Sequence, residues 1–102
     1  MNEREEYAKH LGDEWAAGLA ILPDYMIGGV VRYVLHGIKP GDFLTAVIDG
    51  DLFMALRKAD DNNKNALPAY AAFFYNYAPS DCFGSVHRRL EWVKKGGVIG
   101  NE

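Results

Sequence analysis

The chain has a single cysteine, Cys82, among 102 residues. One thiol excludes an intrachain disulfide and a cysteine-built zinc site, and it fits a reducing compartment. Long apolar runs are also missing, since no stretch approaches the roughly 18 residues a membrane-spanning helix needs. The opening residues Met1-Asn2-Glu3-Arg4-Glu5-Glu6 are acidic where a secretory signal would be basic, so the expected setting is cytoplasmic, with no membrane partner. Alternating apolar and polar residues of the kind a half-buried strand requires do not occur over a useful length, and internal repeats and low-complexity tracts are absent. The length supports one core and not two.

Signatures of catalysis are equally scarce. His10, His36 and His87 are scattered, with no pair four residues apart, so no metal site or cofactor is expected. Cys82 has no nucleophile signature around it and reads as a packed loop residue. Asp49-Gly50-Asp51 and Asp60-Asp61-Asn62-Asn63 offer oxygens to a hard cation, but their spacing fails the calcium-loop pattern and lacks its closing glutamate. Helix capping accounts for these acids, and the second stretch can also hydrogen-bond a base or ribose.

The net charge of −3 is unevenly spread. Residues 1–24 carry six acids and two bases, residues 25–84 six and five, and residues 85–102 two and four. An acidic chain repels phosphate backbones at long range, and two excess positive charges fall short of the several phosphate contacts that hold duplex DNA. Nucleic acid is therefore a disfavoured partner, while the acidic start and basic end suit head-to-tail pairing of copies.

Nearly half the residues are apolar and 13% are aromatic, enough for a packed core. Their spacing is helical. Asn2 caps a first helix with Glu5 three residues on, and Tyr7, Leu11, Trp15, Leu19 and Leu22 make one stripe ended by Pro23, which predicts a helix over 1–22. Asp24 opens a second helix through Ile27, Val30, Val31, Val34 and Leu35, with Gly37 as its C-cap; Gly28-Gly29 inside it permits close approach of another backbone or a ligand. Lys39-Pro40-Gly41-Asp42 is a turn before a helix carrying Phe43, Leu44, Val47 and Ile48, ended by Gly50. Asp51 caps a stripe of Leu52, Leu56 and Ala59, and Leu67, Tyr70, Phe73, Phe74 and Tyr77 form a further one. Residues 51–77 are compatible with one kinked helix or two. Ser85 caps a last helix with Val86, Leu90 and Val93 inward, and Gly96-Gly97 ends it. The expectation is an all-α single domain of five or six short helices, with residues 23–95 as its main body and 96–102 a flexible tail.

Two helix entrances invite an anion. Lys39, Gly41, Asp42 and Thr45 surround one, and Asn76, Tyr77, Ser85 and Arg88 surround the other; both place backbone N–H groups beside cations, although capping alone produces such entrances too. The aromatic cluster of Tyr70, Phe73, Phe74, Tyr75, Tyr77 and Phe83 has more faces than one helix can bury, so part of it is expected at a surface, suited to a homo-oligomer contact or to stacking on a base.

The run LPDYMIGGVVRYVLHGIKPGDFLTAV, then DLFMALRKADDNN, FFYNYAP and CFGS with Trp92 beyond, resembles a widespread group of small proteins encoded by tailed phages and prophages. The resemblance spans residues 22–92 and is carried by Gly37-Ile38, Pro40-Gly41, Phe43-Leu44, Ala59-Asp60 with Asn63, Tyr75-Asn76 and Ala78-Pro79. The chain departs from the group at Lys39, where a second proline is common, at Gly50, where asparagine is, and at Phe83, where tryptophan is. The resemblance implies a setting and no chemistry. In that setting the expected function is that of a phage-encoded, non-enzymatic and oligomeric accessory protein, without turnover, that binds a host protein or sequesters a small nucleotide signal to counter host defence. A DNA-binding regulator reading through Arg88, Arg89, Lys94 and Lys95 is the alternative. An enzyme using Asp42 or Asp60 as general base lacks a partner carboxylate or nucleophile at diagnostic spacing.

Overall fold

The first helix, α1 (Glu3–Leu11), begins where its capping residue directs, with Asn2 Oδ1 accepting the Glu5 N–H at 2.9 Å. It does not run on to residue 22. In the computed structural model, which describes residues 2–100, the chain breaks at Gly12 (φ +97) into α2 (Asp13–Ala17) and a 3-10 turn, Gly18–Ile21. A straight 22-residue helix would measure about 33 Å, close to the 35 Å longest extent of the whole molecule. The break folds the stripe back, so that Tyr7 packs against Phe73 while Leu19 and Leu22 enter the same core. Gly18 is a packing requirement: a Cβ there would meet the Tyr77 ring at 2.3 Å.

The next helix, α3 (Asp24–His36), is buried along most of its length, with Val30, Val31, Tyr33, Val34 and Leu35 fully enclosed. After the 37–41 turn comes α4 (Asp42–Asp49), closed by left-handed Gly50, where the Asp51 N–H reaches Ala46 O and the Gly50 N–H reaches Val47 O. Residues 51–77 form three helices, not one or two: α5 (Leu52–Lys58), α6 (Asp61–Asn65) and α7 (Leu67–Tyr77). The additional break follows from Asp60, whose carboxylate caps α6 at the Asn63 N–H (2.7 Å) and draws Ala59 into an extended conformation. A 3-10 turn (Ser80–Cys82) leads to α8 (Val86–Lys95), capped by Ser85, and a final turn, α9 (Gly97–Gly100). Among the described residues there are thus nine α-helices, more than the five or six expected, with no strand. No helix among them is long and apolar enough to cross a membrane.

Two inward faces and the C-terminal tail differ from the sequence reading. On α8, Val86 and Leu90 are half exposed, while Trp92 is buried and Arg89 nearly so. The helix is turned this way because Trp92 Nε1 donates to the carbonyls of Tyr33 (3.1 Å) and Val34 (3.2 Å), and Arg89 pairs with Asp49 of α4. On α5, Ala55 faces inward instead of Leu52 and Leu56. Residues 97–100, expected as part of a flexible tail, form α9 against α3, and residues 101–102 of that tail lie outside the described residues. The α3–α9 contact is made by glycine on both sides: a Cβ on Gly97 would lie 2.6 Å from Gly37 N and Leu35 O, and one on Gly37 would lie 2.8 Å from Gly97 N.

The aromatic cluster divides unequally. Tyr70, Phe73 and Phe74 are buried, Tyr77 and Phe83 are half-buried, and Tyr75 is the member left exposed. Each buried tyrosine hydroxyl donates to a protein acceptor: Tyr7 to Tyr77 O, Tyr33 to Cys82 O at 2.6 Å, and Tyr70 to Asn63 Oδ1 at 2.7 Å. These bonds satisfy groups that would otherwise destabilise the core by about 1–3 kcal/mol apiece.

Two measurements check this packing. Gly97→Ala combines a backbone clash with a left-handed φ of +70 and is expected to destabilise by more than about 2 kcal/mol in chemical denaturation. Burial pushes the Cys82 thiol up to about 12, so a thiol reagent at pH 8 should leave the folded protein unmodified and titrate one group after denaturation.

Candidate ligand pocket

A cavity of about 500 Å³ lies between the N-terminal half of α3, the 37–41 turn, the start of α4 and the start of α6. Its volume falls within the usual range for small-ligand sites, about 300–1,000 Å³. One wall is built by Tyr25, Met26, Gly29 and Arg32 of α3, with Gly28 just outside the lining. Side chains on a helix lean toward its N-terminus, so Arg32 lies back over these glycines, with its guanidinium Nη1 at 3.0 Å from where a Gly28 Cβ would stand. Glu3 Oε1 approaches the same point at 3.1 Å. The glycine pair therefore admits side chains, not a second backbone. Gly29 has more space: an added Cβ would meet nothing nearer than 4.0 Å, so packing does not require glycine there. A mid-helix glycine weakens a helix by about 1 kcal/mol relative to alanine. What it leaves in return is open room on the cavity wall.

The opposite wall carries Lys39, Gly41 and Asp42. Gly41 is the N-cap of α4 and brings no side-chain acceptor, so the first-turn N–H groups of this eight-residue helix stand uncapped beside the cavity. Thr45 serves the wall from behind, its hydroxyl donating to Pro40 O at 3.2 Å. It lines a separate shallow depression with Asp42 and Lys58, not the main cavity.

The third side is a fixed aromatic edge. The Tyr25 hydroxyl sits astride the Asp60 carboxylate, 2.9 Å from Oδ1 and 2.7 Å from Oδ2, and holds an otherwise exposed ring in place. Asp60 also accepts the Asn63 N–H, and these bonds, the backbone one foremost, hold its carboxyl below the usual range. The same carboxylate raises the Tyr25 hydroxyl above its ordinary value, so at neutral pH the pair remains a protonated phenol on an ionised acid. Asn63, buried beneath, is locked by Tyr70. The lining thus combines two cations, two carboxylates, backbone donors and a tethered ring.

The second expected entrance does not join it. Ser85 Oγ is occupied as the α8 cap, accepting the Arg88 N–H at 3.1 Å. The Arg88 guanidinium donates to Ser80 O (3.2 Å) and Phe83 O (3.4 Å), closing the loop that precedes its own helix. Asn76 Nδ2 turns back to Ala72 O at 2.9 Å, and Tyr77 packs on Gly18 and Phe73. None of these four lines the cavity. Tyr25, Gly29, Arg32, Asp60 and Asn63 complete the site that Lys39, Gly41 and Asp42 begin; the glycine pair with an arginine one turn later was the available signal.

The basic C-terminal helix is likewise engaged internally. Arg89 Nε meets Asp49 Oδ1 at 2.6 Å with both side chains 12% exposed, and Lys95 Nζ sits 4.5 Å above the Trp92 ring. With Arg88 closing its loop, three of the four bases have partners within the molecule, and the Arg89–Asp49 pair cancels its own charge.

No protein-family model, no curated protein and no solved structure matches the chain. The fold defines an all-α domain, and the reading of its function rests on the pocket between α3, α4 and α6.

Removing one partner of the α4–α8 ion pair strands a largely desolvated charge. Arg89→Ala is therefore expected to lower unfolding free energy by about 2–4 kcal/mol, whereas Lys94→Ala on the exposed face should change it by less than about 0.5 kcal/mol; urea titration of both variants separates the two.

Proposed function

We propose that this protein is a non-enzymatic binding protein that holds a small nucleotide in the α3–α4 pocket, in the setting of a phage accessory protein that withdraws such a signal from host defence. The observation that carries the reading is the composition of one cavity. Arg32, Lys39 and the uncapped start of α4 supply what a phosphate needs, while Asp42, Asp60 and the Tyr25 ring supply acceptors and a stacking edge for ribose and base. A purely anionic ligand such as inorganic phosphate would gain nothing from the two carboxylates.

Turnover is not part of the proposal. Asp60 is held as a carboxylate by the Asn63 N–H and the Tyr25 hydroxyl, which makes it a poor base. The DNA-reading alternative loses Arg89 to its ion pair with Asp49.

Calorimetric titration with linear and cyclic mono- and dinucleotides tests the reading. Heat of binding is expected with a subset of them, reduced at least tenfold in affinity by Lys39→Ala and by Arg32→Ala. Gly29→Ala is the sharper variant, because it should stabilise the fold by about 0.5–1 kcal/mol while narrowing the cavity and weakening binding. Absence of heat with every nucleotide, or an affinity unchanged in all three variants, would overturn it.

A further inference from the structure

Helix α5 is built inside out. Of its seven residues, LFMALRK, only Ala55 is buried, while Leu52 is 58%, Phe53 84%, Met54 37% and Leu56 41% exposed. A surface helix normally turns its large apolar residues inward. Here the small residue faces the core because α5 packs closely on α4, and the apolar bulk is left outside. Alongside it runs a groove of about 370 Å³ between α4, α5 and α7, lined chiefly by apolar side chains including Val47, Leu52, Leu67, Phe74 and Phe83. Exposed Tyr75 stands on its rim. This groove shares no lining residue with the nucleotide pocket, so the two surfaces can act separately.

We infer that α5 and this groove form the contact face of a symmetric dimer, the occupant being a second copy of this chain. The charges at the two ends of α5 select that occupant. Asp51 stands at its N-terminus, and Arg57 and Lys58 end it. Two copies of α5 laid antiparallel across a twofold axis between residues 54 and 55 place each Asp51 opposite the basic end of the other copy. The same register sets Phe53 against Leu56 of the second copy, beside its groove. Knob and groove lie on one face of one chain, which is what an isologous contact requires. A stable dimer covers about 800 Å² per partner, roughly one-seventh of the 5793 Å² surface here, so the groove walls on α4 and α7 must contribute with α5. The asymmetry expected from the acidic start and basic end of the whole chain plays no part in this arrangement; the pairing is set by one short helix.

Sedimentation equilibrium of the full chain is the test. The wild type is expected at twice 11.4 kDa, dissociating on dilution. Phe53→Glu should give the monomer mass with an unchanged helical circular dichroism spectrum, since an 84% exposed side chain holds nothing in the monomer. Asp51→Asn keeps the α5 cap, because asparagine caps as well as aspartate, yet removes the charge; it is expected to weaken dimerisation several-fold and to reduce its salt dependence. A wild-type monomer up to hundreds of micromolar would overturn the proposal. So would an assembly that Phe53→Glu leaves intact, which would place the contact on another surface, or a dimer indifferent to both salt and Asp51→Asn. A wild-type monomer that instead binds an apolar peptide at α5 would assign the face to a foreign partner and equally overturn it.

Discussion

The C-terminal end of α3 is the place on which the rest of the molecule depends. A helix enclosed on most sides cannot leave its last carbonyls to water, and unpaired buried acceptors are costly. Three parts of the chain gather there, and two of them supply donors. Gly37 turns left-handed and returns its N–H to Tyr33 O, the Trp92 indole spans the carbonyls of Tyr33 and Val34, and α9 comes into backbone contact through Gly97. Each imposes a further arrangement: Trp92 fixes the rotation of α8, that rotation brings Arg89 to Asp49, and the pair locks α8 to α4. The Tyr33 hydroxyl, on the same helix, ties in the 80–82 turn through Cys82 O.

The opposite end of α3 is free of this crowding, and there the helix carries glycines in place of valines. The cavity exists because the valine-rich half anchors the helix, which leaves the Gly28-Gly29 half able to give up packing contacts. Arg32 belongs to both regimes. It stands one turn beyond the glycines, its side chain lies over the bed they leave, and it lines the cavity while remaining exposed. Stability and a prospective binding site are thus divided along one thirteen-residue helix.

Much of the local structure was legible in the sequence. Asn2, Asp51, Asp60 and Ser85 cap helices as their chemistry predicts, and Gly37, Gly50 and Gly96 end helices in the left-handed conformation. Half of the cavity was legible as well, through Lys39, Gly41 and Asp42. The Gly28-Gly29 pair and the Asp60–Asn63 stretch were legible only as separate hints, and Tyr25 and Arg32 not at all, because their meeting depends on how α3, α4 and α6 pack. The stripe on α8 misled for a similar reason. Periodicity ranks faces by hydrophobicity, whereas the single polar atom of Trp92 and the charge of Arg89 had to be satisfied inside.

Sequence by itself determined the all-helical class, the places where most helices start and stop, and the absence of any cysteine framework, since these follow from local spacing and backbone chemistry. Only the tertiary structure decided which faces α5 and α8 turn inward. It buried Ala55 and exposed Phe53, spent three basic residues of α8 on internal partners, and assembled one pocket from the α4 entrance while closing the other. The physical reason is that hydrogen-bond satisfaction and steric fit are settled between elements far apart in the chain, where the spacing of residues along any one of them carries no information.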